Sequence, residues 1–350
     1  MKIPLIYGDE KKLNSFISQI TKKDKIAIIS HKDLDGMVPV LIFEKVFGKI
    51  DILEFDSPKK DLILNLIPKL KEEKITKVII TDLNLNNEQP ETQVKLEEFA
   101  EVLIIDHHQS IKDFNSSKTV FMLTEKKFNA GLSTYCLLGK FKPLDSIDFL
   151  VAMSIITDHN WNDNAKFIKM IEKKYGLKEA GDINKSELGI FTIILGNYNT
   201  FLKEDPFKFY NILRKINSLK DIKKLEKYSE EVEKDIKNTK EDFLKNKEDH
   251  IWGYIYHDKS KYGVATKAIR ESAIYKDSDL VIVYREKDDG VVHMAARRDD
   301  GKLNCADILK KAIFGLRDAS GGGHIPAAGA RVRKEDFLEF KKNLIKILGN

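Results

Sequence analysis

Residues 25–36 read KIAIISHKDLDG, and this stretch decides how the first half of the chain folds. Its apolar run over 25–30 has the length of a buried strand, and a helical pattern follows over 36–47. The same patterns predict strands at 50–55, 77–81 and 101–105 and helices at 59–70, 88–100 and 147–157. Because single helices separate the strands, we predict an α/β domain whose parallel sheet has helices on both faces.

The rest of the chain predicts a helical segment and a second, smaller α/β domain. Residues 160–250 are mostly helical in pattern and densely charged after Ser218, which is typical of an exposed connecting helix. A strand follows at 251–256, then a hairpin of 280–284 with 291–297, a helix at 306–316 and a strand at 328–332. We therefore predict domains at 1–185 and 251–350 with a helical connector at 186–250.

Composition excludes several classes of protein. The chain has 350 residues, of which 42% are hydrophobic, so it is too apolar for a disordered protein. No apolar run approaches the ~20 residues that span a bilayer, and the N-terminus lacks a secretory signal. The two cysteines, Cys136 and Cys305, exclude a disulfide framework. We expect a soluble, cytoplasmic protein without a membrane partner, and the net charge of +5 is compatible with a polyanionic one.

Acidic and imidazole side chains follow the predicted strands where each one ends. Asp82 comes after the strand at 77–81, Asp106-His107-His108 after that at 101–105, and Asp158 after the helix at 147–157. If the first strand continues past residue 30, His31, Asp33 and Asp35 point to one side, because side chains alternate with period two. The carboxyl ends of parallel strands form a crevice, so we expect these groups to meet there.

Such a set of oxygen and imidazole ligands predicts a site for divalent metal ions. Without thiolates it suits Mn²⁺ better than structural zinc. Several carboxylates can bridge two ions ~3.5–4 Å apart, and such pairs activate water for in-line attack on phosphorus. A single Asp after a strand is more often a turn residue or a helix cap, and a single His is more often structural. Three of the eight histidines beside acids at strand ends favour the metal site, whereas His159 is predicted to be structural.

In order, HKDLDG at 31–36, Asp82, Asp106-His107-His108 and Asp158 resemble the four motifs of the DHH phosphoesterase superfamily. The later sequences at 321–324 (GGGH) and 327–329 (AAG) resemble the glycine-rich signature of the DHH-associated domain. The resemblance implies one ion held by His31, Asp33 and Asp82, and a second held by Asp35, Asp82, His107 and Asp158. It further implies that Asp106 orients the ligands and that His108 faces the substrate phosphate.

The second domain is expected to bind the substrate. By the same resemblance, Gly321, Gly322, Gly323 and His324 hold a phosphate through backbone amides and the imidazole. Arg297 is implied as a second phosphate ligand because a guanidinium fork matches phosphate geometry. Asn304 is implied to lie near the nucleotide. The resemblance implies an active cleft between the two domains.

These features predict a metal-dependent phosphodiesterase with two Mn²⁺ ions, for which Co²⁺ or Mg²⁺ are alternatives. The favoured function is trimming of short single-stranded oligonucleotides, RNA before DNA, to nucleoside monophosphates. The alternatives are a RecJ-like exonuclease on longer single strands and a phosphatase acting on cyclic dinucleotides or 3′-phosphoadenosine 5′-phosphate. An inactive replication scaffold is a further alternative, which the full set of expected ligands disfavours. The sequence does not identify protein partners.

Overall fold

The structure, a computed structural model, describes residues 3–56, 61–85, 91–110, 112–203, 205–323 and 325–349. The chain forms two compact units, Met1–Glu226 and Lys227–Asn350. Among the described residues, no helix combines the length and the apolar character needed to cross a membrane.

The first unit is built on a six-stranded, mostly parallel sheet. Its strands are β1 (Leu5–Tyr7), β2 (Ile26–His31), β3 (Ile52–Asp56), β4 (Lys77–Thr81), β5 (Glu101–Asp106) and β6 (Thr119–Thr124). They lie in the order β1-β6-β5-β4-β2-β3, and β1 alone is antiparallel to its neighbour. The predicted parallel sheet is confirmed, but β1 and β6 were not predicted. No helix forms among the described residues between β5 and β6, so the strand–helix alternation gave no sign of β6.

Helices cover both faces of this sheet. The described helices are α1 (Glu10–Ser18), α2 (Leu34–Phe47), α3 (Leu62–Glu72), α4 (Thr92–Glu97), α5 (Ala130–Leu138), α6 (Asp148–Thr157), α7 (Ala165–Tyr175), α8 (Glu187–Phe201), α9 (Pro206–Leu213) and α10 (Leu219–Lys223). On one face, Ile63, Ile67 and Leu96 of α3 and α4 pack against Ile29 and Ile80 of the strands. Helices α2, α5 and α6 pack on one another. Burial on both faces explains why the strands are apolar without alternation.

The helices predicted as one connector over 186–250 are divided between the two units. Helix α8 packs against α6, and α10 packs against α8, so both belong to the first unit. Helix α11 (Glu226–Asn246) lies almost entirely in the second unit and buries Val232, Ile236 and Phe243. These positions recur at helical spacing, so one apolar stripe is buried while the charged residues between them lie in water.

The second unit contains a six-stranded, mostly antiparallel sheet. Its strands are β7 (Glu248–His250), β8 (Gly253–His257), β9 (Leu280–Glu286), β10 (Val291–Arg297), β11 (Ser320–Gly323) and β12 (Ala327–Arg333). The order is β11-β12-β10-β9-β8-β7, with β8 and β9 parallel. The predicted β9–β10 hairpin is confirmed, and Gly290 in its turn has the positive φ (78°) that favours glycine. The three glycines at 321–323, predicted to hold a phosphate, lie in strand β11.

The two faces of this second sheet are covered unequally. Helices α13 (Cys305–Ala312) and α14 (Phe337–Leu348) cover one face, burying Met294 and Val332 with Leu309 and Phe340. On the opposite face, α11 and α12 (Ala265–Arg270) cover Val281 and Val283 of β9. On this second face, the part formed by β10, β11 and β12 carries exposed residues at 293, 295, 329 and 331. This part is called the open half-face below.

Candidate metal centre

The first part of the centre is the tight turn that joins β2 to α2. Strand β2 ends at His31, and Asp33 caps α2 by accepting a hydrogen bond from the Gly36 N–H at 3.0 Å. The expectation that the strand continues to Asp35 is therefore wrong. A Cβ on Gly36 would lie 2.2 Å from the His31 carbonyl oxygen, so glycine is required for this turn. The turn places His31 Nδ1 2.8 Å from Asp33 Oδ2.

Asp82 lies between two groups of ligands. It follows β4 in a left-handed conformation (φ 59°), and its carboxylate is buried. Its Oδ2 lies 3.6 Å from His31 Nδ1, and its Oδ1 lies 3.3 Å from His107 Nε2. One carboxylate thus faces two imidazoles that belong to different parts of the sheet, so it could contribute to both groups of ligands.

The surroundings of His107 determine which of its nitrogens faces the acids. Its Nδ1 lies 3.1 Å from the Lys126 carbonyl oxygen, a contact that favours the proton on Nδ1. Nε2 then faces Asp82 and lies 3.7 Å from Asp35 Oδ2. Asp158 Oδ2 lies 3.8 Å from Nδ1 of the same ring and accepts a hydrogen bond from Asn160 Nδ2. A metal-binding imidazole commonly donates one ring N–H to a protein oxygen and binds the metal through the other nitrogen, which here would be Nε2.

Asp35, in the first turn of α2, is held by the N-terminus of α5. Asn129 Nδ2 donates to its Oδ1 at 2.6 Å, and the N–H groups of Ala130 and Gly131 donate at 3.0 and 2.8 Å. A Cβ on Gly131 would lie 2.4 Å from Ser154 Oγ, so glycine allows the close approach of α5 to α6 at this point. Sequence reasoning missed these residues. Asn129 directly before the apolar run at 130–138 is a helix-capping signal that could have located this end of α5.

Asp106 and His108 form a second set beside these ligands. Asp106 Oδ1 lies 2.7 Å from His108 Nδ1 and accepts the His107 N–H at 2.7 Å, while Oδ2 accepts the Asn84 N–H at 2.9 Å. Although burial opposes ionisation, these hydrogen bonds and the neighbouring imidazoles hold the pKa of Asp106 below its usual value. The His108 side chain is 39% exposed, so its ring is accessible from solvent.

Concentrated negative charge perturbs the acids of the centre. Burial, together with the charges of Asp33 and Asp158, raises the pKa of Asp35 to about 7. Burial and the neighbouring Asp35 raise the pKa of Asp82 well above its usual value. Burial alone would lower the pKa of His107, but its hydrogen bond to Asp82 and the charges of Asp35 and Asp82 raise it to about 10. Such shifts indicate a site in which anions are crowded together and cations are needed.

These side chains fit divalent metal ions. Three overlapping groups have ligand atoms within 4.8 Å of one another: His31, Asp33 and Asp82; Asp35, His107 and Asp158; and Asp82, Asp106, His107 and His108. The structure therefore brings together all eight residues that the sequence placed near the metals. Carboxylate and imidazole ligands without thiolate suit Mn²⁺ and similar ions.

The predicted substrate-binding residues lie in the second unit. Arg297, at the end of β10, donates from Nε to Asp299 Oδ1 at 2.7 Å. The side chain of Asn304 caps α13, accepting the Ala306 N–H at 3.1 Å. His324 lies outside the described residues.

The three glycines before His324 form an edge strand rather than a loop. A Cβ on Gly321 would lie 3.0 Å from the Ala330 Cβ, and one on Gly323 would lie 2.5 Å from the Ala328 Cα. A Cβ on Gly322 would meet nothing within 4 Å. Gly323 is therefore required for packing against β12, Gly321 has little space for a side chain, and Gly322 faces open space. An edge strand leaves a row of amides unpaired.

Comparison with known proteins gives matches for both units. Residues 25–154 match the model of the DHH family, N-terminal domain, and residues 254–350 match the DHHA1 domain. No curated protein matches the chain.

Solved structures share the fold at low sequence identity. An exonuclease RecJ bound to manganese is 15% identical, with a TM-score of 0.72 over 99% of this chain and 95% of that protein. RecJ from Thermus thermophilus in complex with Mn²⁺ is 16% identical, with a TM-score of 0.67 over 99% of this chain but 55% of that protein. CDC45 from Entamoeba histolytica is 10% identical, with a TM-score of 0.62 over 96% of this chain and 98% of that protein.

Proposed function

This chain belongs to the DHH superfamily with a C-terminal DHHA1 domain, and from that premise we propose that it trims short single-stranded oligonucleotides, RNA before DNA, to nucleoside monophosphates. The superfamily assignment makes it a metal-dependent phosphodiesterase hydrolase. The observation that carries the proposal is the convergence of carboxylates and imidazoles from β2, β4, β5 and α6 on one buried centre.

The proposed ligand sets follow the groups of neighbouring side chains. His31, Asp33 and Asp82 would hold one Mn²⁺ ion, and Asp35, His107 and Asp158, together with the neighbouring Asp82, would hold the other. Two bound divalent ions supply activated water near neutral pH and neutralise charge on the phosphate. Co²⁺ and Mg²⁺ are alternative occupants. The N-terminus of α5 fixes the orientation of Asp35, because three donors hold its carboxylate.

Proton transfer is assigned to His108. Asp106 Oδ1 lies 2.7 Å from Nδ1 of His108, which leaves Nε2 as the nitrogen that would donate a proton to the leaving oxygen. Asp106 itself stays ionised, because its hydrogen bonds hold its pKa low.

Recognition of the substrate is assigned to the second unit. The unpaired amides at the edge of β11, the Arg297 guanidinium and His324 are proposed to hold the terminal phosphate. Asn304 is proposed to contact the nucleotide with its amide nitrogen, because its oxygen caps α13.

A RecJ-like exonuclease on longer single strands is the second candidate. It is supported by the fold shared with two RecJ structures. The chain spans 55% of the Thermus thermophilus protein, so that protein has a large part without a counterpart here. The inactive scaffold is disfavoured, because the proposed metal ligands all converge on the centre.

The test is Mn²⁺-dependent hydrolysis of end-labelled RNA and DNA from two to about 30 nucleotides, with Asp82→Ala as the inactive control. We expect fast turnover of the shortest RNAs and slow turnover of long strands. Processive loss of long strands would support the RecJ-like exonuclease instead. Absence of hydrolysis at every length would contradict both.

A further inference from the structure

The strands of the open half-face contribute cationic side chains but no acidic ones. Strands β10, β11 and β12 contain Arg297, Arg331, Arg333 and His293 but no acidic residue. A water-facing side of an antiparallel sheet needs polar residues, and a surface without a ligand generally mixes both signs. The excess of cations therefore points to an anionic ligand.

Strand register aligns Arg331 and His293 with two further polar residues in a row across the sheet. Ser320 pairs with Arg331, Arg331 pairs with His293, and His293 pairs with Arg285 of β9. Directly paired residues share a face of the sheet, so the four side chains form one line perpendicular to the strands.

Arg331 differs from the other arginines of this surface in its partners. Arg285, Arg297 and Arg333 each pair with a carboxylate, those of Asp258, Asp299 and Asp318 respectively. Within the described part of the chain, Arg331 pairs with no carboxylate. Its Nε donates to Ser320 Oγ at 2.8 Å, and the residue is exposed. The remaining guanidinium donors are therefore available to a phosphate.

Small residues separate this row from Arg297. Paired positions on the next line are Gly322 with Gly329 and Gly329 with Ala295, none of which extends beyond Cβ. Arg297 lies four positions after His293 on β10, which is roughly 13–14 Å along the strand at ~3.4 Å per residue. A shallow strip thus runs from Arg297 to Arg331, and a sugar or base can approach its floor closely.

We propose that the open half-face binds the backbone of a single-stranded nucleic acid beyond its terminal nucleotide, with Arg331 as the contact to an internal phosphate. This inference rests on the proposed function for the identity of the ligand. At about 3.4 Å per stacked nucleotide, the strip accommodates up to about four nucleotides between Arg297 and Arg331. Dinucleotides do not reach Arg331, whereas strands of six nucleotides do.

The test is binding of fluorescein-labelled oligouridylates of two, four, six and eight nucleotides, measured by fluorescence anisotropy with EDTA present so that no strand is hydrolysed. The variants are Arg331→Ala and Arg331→Lys. The control is Lys346→Ala, which removes an exposed cation from α14 on the opposite side of the sheet. Thermal unfolding checks that all variants fold.

We expect Arg331→Ala to weaken binding of the six- and eight-nucleotide strands roughly eightfold at ~50 mM salt. Each neutralised phosphate steepens the fall of log affinity with log salt by about 0.7, and from about 1 M to 50 mM salt this slope amounts to roughly eightfold. The dinucleotide and the control variant should change less than about twofold, and Arg331→Lys should keep the slope. An Arg331→Ala variant that matches Lys346→Ala at every length would overturn the inference. So would an equal loss for dinucleotides, or a loss in Arg331→Lys as large as in Arg331→Ala.

Failure of the proposed function is recognised separately. The proposed function is tested with the wild-type protein and Mn²⁺, and it is contradicted if none of the strands is hydrolysed. The anisotropy comparison depends on binding alone, so its result stands whether or not the strands are hydrolysed.

Discussion

His108 Nδ1 lies 2.7 Å from Oδ1 of the buried Asp106, and this contact determines which nitrogen of His108 remains for chemistry. The carboxylate is ionised and accepts the Nδ1 proton, so Nε2 is the nitrogen that can reach a substrate. The preceding residue, His107, is buried and faces Asp82 instead. Two adjacent imidazoles thus have different surroundings, which supports the proposed division between metal binding and proton transfer.

Replacing His108 with alanine should slow the chemical step without emptying the metal centre. We expect kcat on oligonucleotides to fall about 10²- to 10⁴-fold, the usual contribution of a general acid. A p-nitrophenyl ester of a nucleotide needs no protonation of its leaving group, so its hydrolysis should fall far less. Equal losses on both substrates would show that His108 does not act as the acid.

Replacing Asp82 with asparagine should stabilise the metal-free protein and lower its activity. Burial raises the pKa of Asp82, so the folded protein binds more protons than the unfolded chain, and ionisation above that pKa destabilises the metal-free fold. At pH 8 we expect Asp82→Asn to raise the metal-free free energy of unfolding by roughly 1–2 kcal/mol. Activity should fall more than about a hundredfold.

Urea unfolding in EDTA and hydrolysis with Mn²⁺ measure the two effects. Glu230→Gln, at an exposed position of α11, is the control and should change neither. A less stable Asp82→Asn protein at pH 8 would contradict the charge argument.

Metal affinity should rise with pH up to about 10, and most steeply below about 7. The pKa of Asp35 is about 7 and that of His107 is about 10 in the metal-free protein, and both groups must lose a proton to become ligands. Metal binding therefore releases protons, and affinity increases about tenfold per pH unit for each proton released. Calorimetry of Mn²⁺ binding in two buffers with different ionisation enthalpies counts these protons. A pH-independent affinity would contradict the prediction.

Gly36 and Gly196 are both helical glycines, but their replacement should have opposite effects. A Cβ at Gly36 would lie 2.2 Å from the His31 carbonyl oxygen, so alanine there forces the β2–α2 turn apart. We expect a loss of about 3 kcal/mol in stability, with weaker Mn²⁺ binding because His31 moves. A Cβ at Gly196 would meet nothing within 4 Å, so Gly196→Ala should stabilise α8 by roughly 0.5–1 kcal/mol. Urea unfolding measures both, and a tolerated Gly36→Ala would refute the requirement.

Replacing Asn129 with alanine should weaken metal binding although Asn129 is no ligand. Its Nδ2 donates to Asp35 Oδ1 at 2.6 Å, and its Oδ1 caps α5. Loss of a group that orients a ligand costs about 10–100-fold in metal affinity, and loss of the cap costs about 1 kcal/mol of stability. Calorimetric titration with Mn²⁺ tests this. An unchanged affinity in a folded variant would show that the N-terminus of α5 orients Asp35 without help.

The sequence alone determined the type of fold and the chemistry of the centre. Apolar runs separated by amphipathic helices require a parallel sheet, because both of its faces are buried. Polar residues at 82 and 106–108 directly follow such runs, and parallel strands bring their carboxyl ends to one edge. These inferences depend on local patterns, which is why they could be read from the chain.

The partners and orientations of the side chains depend on contacts between distant residues, which only the tertiary structure shows. Asn129 meets Asp35 across 94 positions of sequence, and the pairing that aligns Arg331 with His293 is set by strand register. Local pattern likewise could not show that β11 is an edge strand. Which nitrogen of His107 faces the acids depends on the carbonyl of Lys126, 19 residues away. The sequence supplies the types of side chain, but close packing of distant segments fixes their partners, their orientation and their protonation.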